Sequence, residues 1–363
     1  MKRKKKNAVF LLVLLLAGVS LLGGPGSVNT KAKAVHLLSP RNGATVTNSN
    51  STIRRWWNHY RKHKAYKISR KKAKYGTVPI ILKWKKSGKK KGNYQVFLSR
   101  SITFDDNRVY RVKENYLKLR NLHCNARYYW KVVQGDTVSK TRLFRTKNMA
   151  RIMRVKGVKN ARDIGGYLTY NGKHVKQGRV YRSGELDKIK KSGKRTIRKR
   201  MKINTELDLR ALGEGNAGKN TGLARNYINI SGHSYESIWE KKSGTRSIIK
   251  QMKVFAKREN YPILIHCIHG RDRTGTLVLL LNGLLGVRKK DLYRDYELTF
   301  FSKVPDKHYK ERMKSFDRTY RYLRRYKNNK KPFSYHVEAF LLDNGMTQEE
   351  INMIKEIMLV SSY

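Results

Sequence analysis

Residues 263–276 read ILIHCIHGRDRTGT. An apolar run, Ile263 to Ile265, leads into His266 and Cys267. A turn rich in charge comes next, and then TLVLLLNGLLGV, Thr276 to Val287, which is apolar on nearly all sides. The first run has the length and branching of a buried strand, and the second reads as a buried helix. Strand, tight turn and buried helix put Ile268 to Thr274 at a helix N-terminus. Backbone N–H groups there lack intrahelical partners, and the helix dipole adds positive potential. Together they make an anion site. Gly270 allows the turn, and Arg273 offers a guanidinium suited to gripping a tetrahedral oxyanion. The field that holds an anion also favours the thiolate form of a cysteine at its mouth. The stretch therefore predicts a phosphate cradle with Cys267 as nucleophile beneath it.

Working outward, the segments on both sides alternate between helix and strand. RVYRSGELDKI, a helical SGKRTIRKRMK and the strand of INTELDLR come first. A Gly- and Asn-rich loop over 213–222, YINIS and a helical SIIKQMKVFAKRE come after them. Such alternation predicts an α/β domain over 149–363, a central sheet flanked by helices.

Several pieces of this region resemble one family. HCxxGxDRTG at 266–275, NARDIGG, VYRSGEL, LDLR, RDYELT and the terminal YHVEAFLLDNGMTQEEI together resemble the bacterial tyrosine-protein phosphatase family whose loop reads HCxxGKDRTG. That family lies within the cysteine-dependent phosphatases. The resemblance spans about Val155 to Leu359. It implies in-line attack by Cys267, a phosphocysteine, and hydrolysis of that intermediate. Arg273 is implied to act in catalysis. Ile268, His269, Gly270, Arg271 and Thr274 are implied to bind the phosphoryl group, and Thr274 also to assist the departing sulfur. For the general acid the resemblance points to Asp272. A structural reading of Asp272, paired with nearby arginines, stands level with it, and Asp208 at the end of the LDLR strand is the second candidate. Asp163 reads as a turn brace and His266 as a structural hydrogen-bonding residue. Two positions depart from the family pattern. Arg271 stands where lysine is common, which keeps a second cation at the pocket rim. His269 replaces a small residue. No metal or cofactor is expected.

The N-terminal part reads differently. Lys2 to Lys6, the apolar run Ala8 to Leu22 and the Ala32-Lys33-Ala34 site form a secretory signal pattern over 1–34, the run being short for a membrane span. Residues 35–148 predict an all-β, immunoglobulin-like sandwich. VPIILKW, NYQVFLS, RVYRV, YLKL, ARYYWKVVQ and TRLFRT are short strands at regular spacing, and the stretches around Trp84 and ARYYWKV resemble a fibronectin type III domain. A basic insert over 49–75 interrupts it, with Trp56, Trp57 and Tyr60 read as docking residues and its charges read either as a solvated face or as a polyanion-binding arm. Cys124 and Cys267 are the 2 cysteines, and Cys124 reads as a small buried hydrophobe rather than a disulfide partner.

Across 363 residues the formal charge is +58. No acidic residue precedes Asp105. Such a surface attracts polyanions of many kinds. Export makes nucleic acid an improbable physiological partner and turns attention to anionic wall polymer or lipid at a bacterial surface. The leading reading is an exported phosphatase, secreted or held at the cell wall, acting on phosphotyrosine protein or another phosphomonoester, with dual specificity allowed. The alternatives are a phosphoinositide or inositol phosphate phosphatase, and a catalytically silent anion-binding protein.

Overall fold

The computed structural model describes residues 35–361, apart from 63, 66, 69–75, 86–91, 303, 305 and 307. The expected signal, 1–34, and part of the basic insert lie outside the described residues. From residue 35 onward the chain forms one compact unit.

The functional half is organised around one strand. Its sheet has the order β10 (Arg162–Asp163), β12 (Val180–Ser183), β15 (Ile263–His266), β13 (Thr205–Asp208), β14 (Asn226–Asn229). The four strands from β12 to β14 run parallel, and β10 is antiparallel at the edge. A separate antiparallel pair, β11 (His174–Val175) with β16 (Leu359–Val360), ties the end of the chain to this half. β15 is central, and all four of its residues are buried, as expected of a parallel strand covered on both faces. After the loop comes the helix Asp272–Leu284, buried without a break from Thr274 to Leu284. A helix apolar all round has no solvent face, so it sits inside the layer of helices. The helix Phe333–Asp343 packs on it, with the Phe333 ring within 2.8 Å of where a Cβ on Gly283 would stand. A larger residue at Gly283 would push the two helices apart. The last helix, Gln348–Met358, opens with a Thr347–Glu350 capping box, which satisfies otherwise orphaned amides.

The N-terminal half holds two sheets. One has the order β1 (Leu37–Ser39), β3 (Ile80–Trp84), β6 (Tyr116–Leu119). The other has β2 (Ala44–Val46), β9 (Arg142–Thr146), β7 (Arg127–Gln134), β4 (Tyr94–Ser99), β5 (Arg108–Val112), with β8 (Thr137–Val138) paired to β7. Each of the six expected strand segments forms a strand. Alternating residues of both sheets, among them Leu82, Trp84, Val96, Leu98, Trp130 and Phe144, share one core.

Part of the basic insert is the helix Ser51–Asn58, capped by the Asn50 side chain accepting from the Ile53 amide at 2.9 Å. Its buried face carries Ile53, Trp56 and Trp57. Trp56 meets Phe301 at 5.1 Å between ring centroids, and Trp57 stacks on Tyr167 at 6.3 Å. Just beyond the helix, Tyr60 donates to the Glu297 carboxylate at 2.6 Å. The aromatics thus dock the insert onto the α/β half, and its exposed arginine, Arg55, faces water. Cys124 and Cys267 are both free and buried. Burial pushes the Cys124 thiol up to about 12, as for a structural cysteine.

Candidate active site

Cys267 leaves the centre of the sheet and is 3% exposed. The loop beyond it takes its shape from where its carbonyls are held. The Ile268 carbonyl accepts from the Glu185 amide at 3.0 Å. Those of His269 and Gly270 accept from Asn160 Nδ2 at 3.1 and 2.8 Å, and Gly270 also from Arg182 Nη2 at 2.7 Å. With the carbonyls drawn outward, the amides are left on the other side. Those of Ile268, His269 and Gly270 donate to no acceptor among the described residues. The amides of the first turn of Asp272–Leu284 have no intrahelical acceptor. Amides without partners are rare away from water, and of the three loop residues Gly270 is buried and Ile268 and His269 half-buried. Here they directly follow a cysteine and precede a helix N-terminus, a setting that binds an oxyanion.

Gly270 is required at its position. Its φ is +62°, and an added Cβ would lie 2.1 Å from the Ser183 carbonyl oxygen. Both the left-handed backbone and the close approach exclude a side chain.

Behind the loop lies a buried charged scaffold. Asp295 accepts from Arg162 Nε at 2.9 Å, Arg182 Nη1 at 2.5 Å and Tyr167 Oη at 3.1 Å. Arg162 and Arg182 are both 0% exposed. Burial first, and then the neighbouring Arg162, bring the Arg182 guanidinium down to about 10. Arg182 and Arg273 both lie within electrostatic reach of Cys267. NARDIGG, VYRSGEL and RDYELT therefore meet in one place, as the support that shapes the loop. Sequence reasoning quoted these motifs without giving Asn160, Arg162, Arg182 or Asp295 a role. The signal that could have found them was an arginine inside an otherwise apolar strand, VYRS, which needs a buried carboxylate.

Arg273 is aimed by the Gly- and Asn-rich loop. Its guanidinium meets Glu214 at 2.5 and 3.1 Å and donates to the Leu209 carbonyl at 3.2 Å. Thr274 Oγ1 is buried with no hydrogen-bond partner among the described residues, so it is available to the sulfur or to a bound group. His266 meets Glu206 Oε1 through Nε2 at 3.0 Å, the structural role expected. His269 is half-buried, and burial together with the nearby Arg271 lowers its imidazole pKa.

Arg271 does not stand at the rim. Its guanidinium is buried, 3.0 Å from Asp272 Oδ1 and 3.4 Å from Asp306 Oδ2, because two carboxylates draw it inward. Asp272 also accepts from Arg312 Nη1 at 3.0 Å and from the Tyr235 hydroxyl. Burial alone would raise the Asp272 carboxyl. The Arg271 hydrogen bonds and charge, with Tyr235 and Arg312, outweigh it and hold the carboxyl below the ordinary range. Its side chain keeps 22% exposure. Asp208 has none: it is tied to Arg210 at 2.9 and 3.0 Å and to Tyr227 at 2.9 Å. Asp163 accepts from the Gly165 and Gly178 amides at 2.8 and 2.6 Å and from Arg151, so it braces a turn.

Residues 153–360 match the model of a family described as the tyrosine phosphatase family. The match spans more than half of the chain. The chain belongs to the tyrosine phosphatase family. Among solved structures it is similar to the core catalytic domain of the PP-IP phosphatase SIW14 from S. cerevisiae in complex with citrate. That similarity is 18% identity over 42% of this chain and 93% of that one, with a TM-score of 0.27. A second structure of the SIW14 catalytic core aligns at 19% identity over 41% and 94%, with a TM-score of 0.26. No curated protein matches the chain. Within the matched region the sheet is mixed and helices cover it, as the α/β expectation required.

Proposed function

We propose that the chain is an exported bacterial protein-tyrosine phosphatase, of dual specificity where the phosphoester reaches the loop. The observation that carries this reading is the run of unpartnered amides directly after Cys267, with every loop carbonyl from Ile268 to Gly270 held by another donor. A site built only to bind an anion has no need of a thiol at its centre, which weighs against a silent binding protein.

In the first step the Cys267 thiolate attacks phosphorus in line, forming the S–P bond as the P–O bond to the leaving group breaks. The amides of Ile268 to Thr274 and the Arg273 guanidinium hold the three equatorial oxygens, with Glu214 fixing the plane of that guanidinium. Asp272 gives its proton to the leaving oxygen; because, against burial, Arg271, Tyr235 and Arg312 hold its carboxyl below the ordinary range, this acid form becomes more populated as pH falls. Asp208 is the poorer candidate, being wholly buried where Asp272 keeps 22% side-chain exposure. In the second step water attacks phosphorus, Asp272 takes the water proton, and the S–P bond breaks to return thiolate and release phosphate. Thr274 Oγ1, with no other partner described, donates to the departing sulfur. No step calls for a metal.

The signal pattern over 1–34 supports export, and the two-sheet N-terminal half supports a fibronectin type III-like module at 35–148 ahead of the catalytic domain at 149–363. The +58 charge supports retention at a surface of anionic wall polymer or lipid.

The test compares hydrolysis of para-nitrophenyl phosphate, a phosphotyrosine peptide, a phosphoserine peptide and an inositol phosphate by wild type and Cys267→Ser, with reductant and without metal. The reading expects the phosphotyrosine peptide to give the highest kcat/KM and Cys267→Ser to be inactive on every substrate. An inositol phosphate turned over better than any peptide would replace the protein-phosphatase reading. A folded, reduced wild type no faster than Cys267→Ser would overturn catalysis altogether.

A further inference from the structure

Away from the Cys267 loop, a cleft of about 500 Å³ opens between the two halves of the compact unit. Its walls carry Arg108, Lys118 and Arg120 from the β half, and Arg154, Lys156 and Arg200 from the α/β half. No carboxylate lines it. None of these six cations forms an ion pair among the described residues, in contrast to Arg151 at the cleft floor, which is tied to Asp163 at 2.8 Å. Like charges gathered around a concave space repel; Arg120 donates to the Thr77 carbonyl at 2.6 Å and Lys118 lies over the Tyr116 ring, but no carboxylate among the described residues pairs with any of the six. One of the six, Arg120, and the nearby His123 lie in this positive surrounding. Burial, and then the charge of Arg154, lower the Arg120 guanidinium, and burial with Arg151, Arg100 and Arg108 holds His123 down to about 2.

We propose that this cleft is a second anion site, separate from the catalytic loop, for a compact anion carrying several phosphate groups, either free or as one segment of a phosphate-rich chain. The lining favours this class over others. Cations on opposite walls match a ligand that enters the cleft, whereas a bilayer presents its charge to a flat or convex face. Single-stranded nucleic acid needs free aromatic faces on which bases stack. The cleft's tyrosine, Tyr110, is already covered by the Arg200 guanidinium, 5.5 Å from its ring centroid. Ser192 adds a hydroxyl that can donate to a phosphate oxygen, while the Thr196 hydroxyl already donates to the Ser192 carbonyl at 3.0 Å. Because the walls belong to both halves, a bound anion would also hold the halves together.

The test is calorimetric titration of Cys267→Ser protein with tripolyphosphate at several salt concentrations, beside the same protein carrying Arg154→Ala and Arg200→Ala. Both arginines are exposed, so the fold should tolerate their loss, and an unchanged melting curve checks it. Two classes of site are expected in the parent. In the variant one class weakens about 30-fold, the size expected for two arginines near anionic groups, and its salt dependence falls by about 1.5 in log–log slope. Wild-type Cys267 carrying the same two substitutions should turn over para-nitrophenyl phosphate at the unchanged rate, which separates this site from the catalytic reading. Long-chain polyphosphate competing for the lost class supports a chain segment as the source; failure to compete supports the compact free anion. A single class in the parent, or two undiminished classes in the variant, overturns the proposal. So does loss of binding to phosphatidylglycerol vesicles in the variant with tripolyphosphate binding intact, which would make the patch a membrane contact.

Discussion

Replacing Asp295 by asparagine isolates the support beneath the catalytic loop. Asn keeps the size and one accepting oxygen but removes the charge shared by Arg162 and Arg182. Asp295 is 2% exposed and both arginines are fully buried. Breaking a buried ion pair from one side typically costs about 3–5 kcal/mol, because an uncompensated charge stays behind. Against a total stability of about 5–15 kcal/mol that is a large fraction, and it should lower Tm by roughly 6 °C or more. The effect should also reach catalysis. Arg182 holds the Gly270 carbonyl at 2.7 Å, and a shift of about 1 Å in a positioning group costs roughly 100-fold in rate. Burial alone would raise the Asp295 carboxyl, but Arg162 and Arg182 together hold it below the ordinary range. Its contribution is therefore present above the unfolded value of about 3.9 and is lost as pH falls through the lower folded value. Urea denaturation at several pH values and para-nitrophenyl phosphate kinetics measure both effects. The gap between wild type and variant should be constant near neutrality and should close only in strong acid. A stability loss under about 1 kcal/mol together with an unchanged kcat would refute this account of the scaffold.

Other outcomes rest on the same geometry. Asp272→Asn should lower kcat by about 10²–10⁴, with the larger loss on substrates whose leaving group is the more basic. Arg312→Ala removes one cation from Asp272; the carboxyl pKa should rise, and the alkaline limb of the kcat/KM profile should move to higher pH. A brace with no proton to give would leave that limb in place. Trp56→Ala should destabilise the chain by about 3–5 kcal/mol, as for other buried aromatics, whereas Arg55→Ala on the same helix should stay within about 0.5 kcal/mol; thermal melting distinguishes them.

What could be read from the sequence was local. Ile263 to Val287 carries its strand, turn and helix in its own pattern. The six β segments were legible because apolar residues alternate between turns. Trp56 and Trp57 read as docking residues because a charged insert has little other use for adjacent indoles. The partners were not legible. Arg162 meets Asp295 across 133 positions, and Tyr60 meets Glu297 across 237; no spacing rule connects residues so far apart. Arg271 was expected at the rim because it stands where the resembling family commonly has lysine. Asp306, on a segment with no local pattern to place it there, turns it inward. The cationic cleft was equally hidden, since composition reports the total charge and not which cations face one another.

The central claim is that Cys267 itself carries the phosphoryl group during turnover. Acid quench of the enzyme within its first turnovers of para-nitrophenyl phosphate, and then digestion and mass spectrometry, test this directly. The account predicts the mass of one phosphoryl group on the peptide containing Cys267, slower to decay in Asp272→Asn because the second step also uses that carboxyl. A wild type that turns over while its Cys267 peptide stays unmodified, matched by an equally active Cys267→Ser, would contradict it.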